Sequence, residues 1–519
     1  MIKKELKEQV QLIIIQIKHI KKIGKKKQNS MNFSLQLIAI LSAFIGFIQV
    51  QAELIFVNQL YRHGARGTIV DNYYDSELQI HTKEELTATG MRQHYNLGSQ
   101  LRKEYIDELG FLDEKINWNQ ILVTCTDFNR TLQSAYSQLY GLYPPGTGTT
   151  IDMLVDGEDM LPPFKGAQQP KGLQEREALP NKFQPIPVHV NTTVLSWPPE
   201  YCANYGEIQQ SYYKKENKEW FDYINGNYSD TFESLKTLIE YDGEIDFDNI
   251  EDVWDILVAD LNNARPLPLG MNANIWQNLT ELDTFYWFFQ QNGSFEAAQL
   301  QNTDLFQQWR TNLQLAKDGK TNGLKWAMYS AHDSNVAGAM AGLNLTSWEC
   351  LIDEWWYNKY NDQINCNQRP YFAASIIMEL HNNDGNYQVA VKYDGRYQYL
   401  CEKTDIYCDF DEFIERMSNQ ILDQEQVNNY CNSDNWEFYV DQNKQQDNKL
   451  AQYLRDNSGG NKFIFFLQIF SLGLSAFVVY FLIKYKNSKA QYTYLCEKNN
   501  NNEPSQSITE KTQFEVENQ

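Results

Sequence analysis

Between Phe463 and Ile483 the chain runs for 21 residues without a charge, enough to cross a bilayer as a helix. Lys484, Lys486 and Lys489 follow at once, and basic flanks of this kind stay on the cytoplasmic side. A polar stretch, Asp456-Asn457-Ser458-Gly459-Gly460, precedes the run and a polar tail follows it, a setting that does not suit a buried core helix. The expectation is a type I single-pass membrane protein with one C-terminal transmembrane helix at 463–483, a stalk at 436–462 and a cytoplasmic tail at 484–519.

A second apolar run, Leu37–Ile48, is shorter and ends in Val50-Gln51-Ala52. That pattern predicts a signal peptide over residues 1–52, cut after Ala52. Its basic leader is unusually long, and Met31 reads as an alternative start. Between the two apolar runs the chain should therefore lie in an oxidising compartment. Six cysteines fall there in that role, Cys202, Cys350, Cys366, Cys401, Cys408 and Cys431, which suits three disulfides; their spacing alone leaves the pairing open. Cys125 sits in a strand-like run and Cys496 in the tail. Glycosylation sequons begin at Asn129, Asn191, Asn227, Asn278, Asn292 and Asn344.

The net charge is −22, and residues 1–52 contribute +7, which leaves −29 for the remainder. So acidic a body should repel nucleic acid and anionic membranes. It should repel phosphorylated ligands too, unless arginines reverse the field locally. Most of that charge reads as solvated surface.

The apolar pattern of residues 53–150 and 321–435 is that of an α/β domain, with residues 151–320 as a mostly helical insertion. Strands are expected at Leu54–Val57, Ile121–Val123 and Leu324–Ser330. Phe372–Glu379 and Tyr387–Tyr393 should form a hairpin about Asn382-Asn383-Asp384-Gly385. Helices are expected over Thr87–Leu109, with Met91, Tyr95, Leu101 and Tyr105 inward, and over Asp127–Tyr140, Glu207–Trp220 and Glu281–Gln291. The fold class is α/β, a central mixed sheet flanked by helices in three layers.

Chemistry-bearing residues cluster where strands end, which is where open α/β sheets place ligands. After the first strand comes Arg62-His63-Gly64-Ala65-Arg66. Two guanidiniums can hold a phosphoryl dianion through paired planar donors. An imidazole between them can attack phosphorus, and Gly64 permits a close backbone approach. Alone, this motif also fits a basic surface turn. Another strand, however, runs into His332-Asp333. There the histidine can bind a phosphate oxygen and the carboxyl can protonate a leaving alcohol; Asp333 also suits the N-cap of a helix over Ser334–Ala341. Arg130 is expected in the first turn of the helix after the second strand.

With these residues the chain resembles the histidine acid phosphatases, the group that includes prostatic and lysosomal acid phosphatases. The likeness covers roughly residues 53–435. It rests on Arg-His-Gly-x-Arg at 62–66, on His332-Asp333 and on Leu86-Thr87-Ala88-Thr89-Gly90-Met91-Arg92-Gln93-His94-Tyr95. Asp127–Leu132 with Tyr143-Pro144-Pro145, and Gln184-Pro185-Ile186-Pro187-Val188-His189, extend it in the same order. The resemblance implies that His63 is the nucleophile and forms a phosphohistidine. Arg62, Arg66, Arg130 and His332 would hold the phosphate, and Asp333 would donate the leaving-group proton. It implies no metal and no cofactor; the seven histidines show no metal-ligand spacing either. It further implies disulfides Cys202–Cys431 and Cys401–Cys408, which leaves Cys350–Cys366. Two positions depart from the family pattern: Thr68 stands in place of proline and Thr124 in place of arginine. Asn129, beside Arg130, is expected to carry no glycan. His94 and His189 read as structural, hydrogen-bonded histidines.

The implied activity is hydrolysis of phosphate monoesters at acid pH. The acid optimum would arise because Asp333 must be protonated, or because the substrate monoanion binds better. Narrower readings are an inositol-phosphate or lysophosphatidate phosphatase; from another class, a membrane glycoprotein that binds phospholigands without turnover. Tyr492-Thr493-Tyr494-Leu495 has the form of a sorting-adaptor signal, which suits a lysosomal, phagosomal or plasma-membrane location. The sequence leaves a homodimer open.

Overall fold

The computed structural model describes residues 52–70, 82–152, 161–163, 165–168, 176–211, 218–288, 295–346, 350–351, 366–401 and 405–432. The chain divides into two units, Met1–Val440 and Asp441–Gln519, and the second lies wholly outside the described residues. So do the expected signal peptide short of Ala52, the stalk, the transmembrane segment and Tyr492–Leu495. No helix among the described residues is long and apolar enough to cross a membrane.

The frame is one mixed sheet. The strands are β1 (Glu53–Arg62), β2 (Ile121–Cys125), β3 (His189–Val190), β4 (Trp326–Ala331), β5 (Ser375–Asn383), β6 (Asn386–Tyr393), β7 (Arg396–Tyr397) and β8 (Tyr407–Asp409). They lie in the order β3-β2-β4-β1-β5-β6-β7, with β8 on β6. β1, β2, β3 and β4 run parallel, and β5 turns antiparallel against β1. β4 sits among the parallel strands and is buried along its whole length; a strand covered on both faces needs the unbroken apolar run that Trp326–Tyr329 supplies. The β5–β6 hairpin closes on Asp384-Gly385, both at positive φ (51° and 89°), the conformation that Asp-Gly favours in a two-residue turn.

Alternate side chains of β1 enter two cores. Phe56 and Leu60 join one face with Tyr329, Met378 and the insertion helices; Val57 and Tyr61 join the other with Val123 and Met328. Helices α1 (Ala88–Leu101) and α2 (Asn129–Leu142) cover the second face, and α1 continues as a π-helical turn, Arg102–Glu108. The expected inner face of this helix holds at Leu101 and Tyr105 and needs correction at Met91 and Tyr95. Met91 is exposed and Tyr95 half-buried; Gly90, His94, Gly98 and Leu101 point inward. The reason is a glycine contact. A Cβ on Gly98 would lie 1.9 Å from the Gln138 carbonyl oxygen, and one on Gly141 2.2 Å from that of Tyr95. The helices therefore meet backbone to backbone, and the larger apolar residues fall outside the seam. Leu122 of β2 is likewise exposed.

Between β3 and β4 the regular elements among the described residues are helices: α3 (Thr192–Leu195), α4 (Tyr205–Ser211), α5 (Lys218–Asn227), α6 (Ser229–Leu238), α7 (Ile250–Asn262), α8 (Ala273–Tyr286) and α9 (Phe295–Lys317). The expected helix over Glu207–Trp220 is α4 and the start of α5, and the six residues between lie outside the description. α9 packs on β1 and on α10 (Asp333–Gly342), where Asn312 bridges Asn58 and Tyr329 inside the core. α11 (Phe410–Ser418) and α12 (Gln424–Asn432) end the described chain. The disulfides are Cys202–Cys431, Cys350–Cys366 and Cys401–Cys408, and Cys125 is a buried free thiol.

Candidate active site

The parallel strands carry their chemical residues out at the same edge. β1 ends at Arg62, and the next peptide is pinned to its neighbours: His63 N–H donates to the Ala331 carbonyl at 2.9 Å, and Ala373 N–H to the His63 carbonyl at 3.0 Å. His94, fully buried, faces the Arg62 carbonyl through Nε2 at 3.1 Å and Gln138 through Nδ1. This is the structural role expected for His94. His189 departs from that expectation, because its side chain is exposed at the short edge strand β3.

His63 is buried, with Nδ1 2.9 Å from the Gly64 carbonyl oxygen. A carbonyl can only accept, so Nδ1 carries the proton and Nε2 keeps its lone pair. Burial first, then Arg62, Arg66, His332 and Arg130, hold its pKa well below the ordinary value. The ring is thus a neutral base with one fixed tautomer in a cationic surround. His332 lies edge-on to it, 5.5 Å between ring centroids.

His332, not Asp333, caps α10, and this corrects the sequence reading. The His332 side chain accepts from the Asn335 backbone, and Asn335 Oδ1 accepts from His332 N–H. Its Nε2 faces Thr126 Oγ1 at 2.9 Å. Because the other ring nitrogen accepts, Nε2 is the donor. Thr126 passes the direction on to Thr131, which donates to the Phe128 carbonyl. Burial, then Arg130, lowers the pKa of His332 to about 3.

Asp333 is the first helical residue of α10, and its Oδ1 accepts from Ser334 N–H at 3.1 Å. Its Oδ2 takes Arg62 Nη2 and Arg369 Nη2, each at 2.8 Å. Burial favours the neutral acid, yet Arg62, Arg369, His63 and Arg66 outweigh it and hold the carboxyl well below the usual range.

Every arginine here has an acidic partner. Arg66 pairs with Asp255 of α7 at 2.7 Å, and Asp255 also accepts from Ile69 N–H at 2.7 Å. Arg130, second residue of α2, meets Glu84 at 3.3 Å and lies over the Phe128 ring. Arg62 donates to the Pro370 carbonyl at 2.7 Å and lies over Phe372, 4.4 Å from its centroid. The structure therefore brings Arg62, His63, Arg66, Arg130, His332 and Asp333 to one edge of the sheet. It adds Arg369, Asp255, Asp283, Glu251 and Phe372, which sequence reasoning missed. They are single residues on α7, α8 and the segment before β5, and no spacing ties them to 62–66. Gly64 approaches the Gly90 backbone of α1 rather than a ligand.

Thr68, where the family pattern has proline, is buried with its hydroxyl unpartnered, and its carbonyl accepts from Glu84 N–H. Thr124 lies inside β2, opposite Tyr329 and His189. The Asn129 amide is engaged by Glu85 at 2.9 Å. Among the described residues the group close enough to hold a metal ion is Cys401, Cys408 and Glu412, and both thiols are in a disulfide.

A family model, the histidine phosphatase superfamily (branch 2), matches residues 53–394. Lysosomal acid phosphatase of Xenopus laevis is 28% identical over 354 residues, 65% of this chain and 68% of that one. The human lysosomal acid phosphatase is 29% identical over 351 residues, 65% and 70%, and mouse prostatic acid phosphatase 28% over 353 residues, 66% and 78%. The phytase of Citrobacter braakii superposes with a TM-score of 0.51 at 14% identity, over 71% of this chain and 98% of that one; that likeness concerns fold alone.

Proposed function

Because the chain belongs to branch 2 of the histidine phosphatase superfamily, we propose that it is an acid phosphatase acting on phosphate monoesters through a phosphohistidine at His63. The observation that carries this is the fixed neutral tautomer of His63, its Nδ1–H held by Gly64 and its Nε2 lone pair kept among arginines. Nε2 attacks phosphorus and the P–O ester bond breaks. The leaving oxygen takes its proton from Asp333, and Arg62, Arg66, Arg130 and His332 hold the phosphate oxygens. Water then attacks the phosphohistidine, giving its proton to Asp333, and the P–N bond breaks. A protein that only binds phosphate would need neither a nucleophile nor an acid.

The proposal extends to a luminal or extracellular catalytic domain of residues 53–150 and 321–435, capped by 151–320 and anchored by the uncharged run at 463–483. A lysosomal, phagosomal or cell-surface location follows from that arrangement and from the kinship with lysosomal acid phosphatases. The test is hydrolysis of p-nitrophenyl phosphate at about pH 5 by wild type and His63→Ala. Wild type should turn over and the variant should not. A folded, inactive wild type would sink the enzyme reading, and an active variant the mechanism. A panel including inositol phosphates and lysophosphatidate separates the narrower substrate classes.

A further inference from the structure

Arg369 stands just before β5, only 4% exposed, with its guanidinium spread among three carboxylates. Nη1 meets Asp283 of α8 and Nη2 meets Asp333 Oδ2 at 2.8 Å and Glu251 of α7 at 3.4 Å. Its Cζ lies 4.4 Å from the Trp287 ring centroid. The planar fork is thus held by contacts on both arms and on its face.

Arg62 binds the same oxygen of Asp333, also at 2.8 Å, but Arg62 is also a proposed phosphate ligand. Once it turns toward phosphate, Arg369 is the cation still on Oδ2. We propose that Arg369 is a positioning residue that holds Asp333 by Oδ2 and keeps it a carboxylate throughout substrate binding, so that the leaving-group proton enters with the substrate's own phosphate. This rests on the reading of Asp333 as the proton donor. A monoester monoanion would pass its P–OH proton to Asp333 Oδ1. Asp333 would hand that proton to the ester oxygen as the P–O bond breaks and the N–P bond forms. The sum is ROPO3H⁻ plus neutral His63 giving ROH plus phosphohistidine, with charge and protons balanced.

The groups facing Asp333 are Arg62 and His63 at the end of β1, Arg66 in the following loop, Arg130 of α2, Glu251 of α7 and Asp283 of α8, with His332 beside it in sequence. Removing Arg369 strips one adjacent cation and leaves Glu251 and Asp283 in place. That loss favours protonated Asp333, and loss of one adjacent cation moves a carboxyl by about one pKa unit or more.

Sulfate is the probe, because it stays a proton-free dianion across the measured range. It should bind the enzyme with Asp333 protonated, so its Ki should fall as pH falls until Asp333 is fully protonated, then level off. For wild type the inhibition constant should still be falling, near tenfold per pH unit, between pH about 5 and about 4. In Arg369→Gln it should level off at a pH higher by about one unit. Arg369→Lys, which keeps the charge, should restore most of the wild-type slope. If Arg369→Gln strands the Asp283 carboxylate and fails to fold, Arg369→Gln with Asp283→Asn removes both members of the buried pair. A levelling-off pH no higher than that of wild type in whichever neutralised variant folds overturns the proposal. Asp333→Asn is the control: its sulfate Ki should lose the slope, and if it keeps it, the assignment of Asp333 fails instead.

Discussion

Gly64→Ala is the perturbation whose size can be worked most directly from the structure. A Cβ at Gly64 would lie 2.4 Å from the Gly90 carbonyl oxygen and 2.7 Å from the Gly90 carbonyl carbon and Cα. Ordinary contact begins at 3.4 Å, so the loop and the first turn of α1 must part by about 1 Å (3.4 less 2.4). Neither side is free to yield. Gly64 N–H is held by Ser134 at 3.0 Å, Ala65 N–H by Gln93 at 2.8 Å, and the Ala65 carbonyl by Thr87 N–H and Oγ1 at 2.9 and 3.0 Å. The displacement should therefore reach the adjoining His63 and its Nδ1 contact. A misplacement of this size costs on the order of 100-fold in rate, or about 2.7 kcal/mol of transition-state stabilisation. Overpacking against backbone should also lower stability by about 1–3 kcal/mol. The assay is kcat/KM for p-nitrophenyl phosphate on protein shown to be folded by circular dichroism, with urea unfolding for stability. A folded variant within about threefold of wild type would show that the loop relaxes away from the nucleophile, and would refute the argument.

Two further outcomes follow from the same site. His94 is buried neutral with its pKa lowered from 6.5 to about 4, by burial above all; the unfolded chain therefore binds the proton first, and stability falls as pH drops through that window. The loss from this group should be about 2 kcal/mol between pH 6.5 and 5, so urea unfolding should show a shallower pH slope for His94→Gln than for wild type, and equal slopes would contradict this. Glu84→Gln removes the half-exposed partner of Arg130; the inhibition constant of inorganic phosphate should fall by about two- to threefold, and an unchanged or higher value would mean that the pair does not compete with phosphate.

The parts of the site that could be read in the sequence are those at strand exits. Continuous apolar runs mark β1, β2 and β4, and Arg62, His63, Arg130 and His332-Asp333 come just after them. The carboxylates that balance the arginines could not be found this way. Asp255 lies 189 positions from Arg66 and Asp283 lies 86 from Arg369, each on a helix where an acidic residue reads as solvated surface. Met91 and Tyr95 were misplaced on the inner face of α1 for a different reason. Hydropathy ranks Met91 above Gly98, but the seam with α2 is decided by how near the backbones come, and glycine permits the closer approach. The cap expected at Asp333 lies one residue earlier, at His332. Asp333 is itself helical, its Oδ2 taken by Arg62 and Arg369 and its Oδ1 by Ser334 N–H.

The charges also bear on why such a site would work in acid. Asp333 is held ionised by its arginines, so its own titration does not supply the acid optimum in the unliganded protein. Nor does acid disable the proposed nucleophile, because burial and the surrounding arginines hold the His63 pKa well below its ordinary value. The remaining titration is the substrate's: a phosphate monoester has a second pKa near about 6 and becomes the monoanion below it. That form carries the proton the leaving group needs and meets less repulsion from the acidic body. Stability is pulled both ways over the same range. His94 and His332 resist protonation and weaken the fold as pH falls. Glu251, raised to about 7 by burial first and by Asp333 and Asp255 after it, takes up a proton on folding and strengthens the fold as pH falls through 7 toward its unfolded value. A chain with the histidines alone would lose stability where its substrate becomes reactive; the buried acids on α7 and α8 offset that loss from beside Asp333, the proposed proton donor.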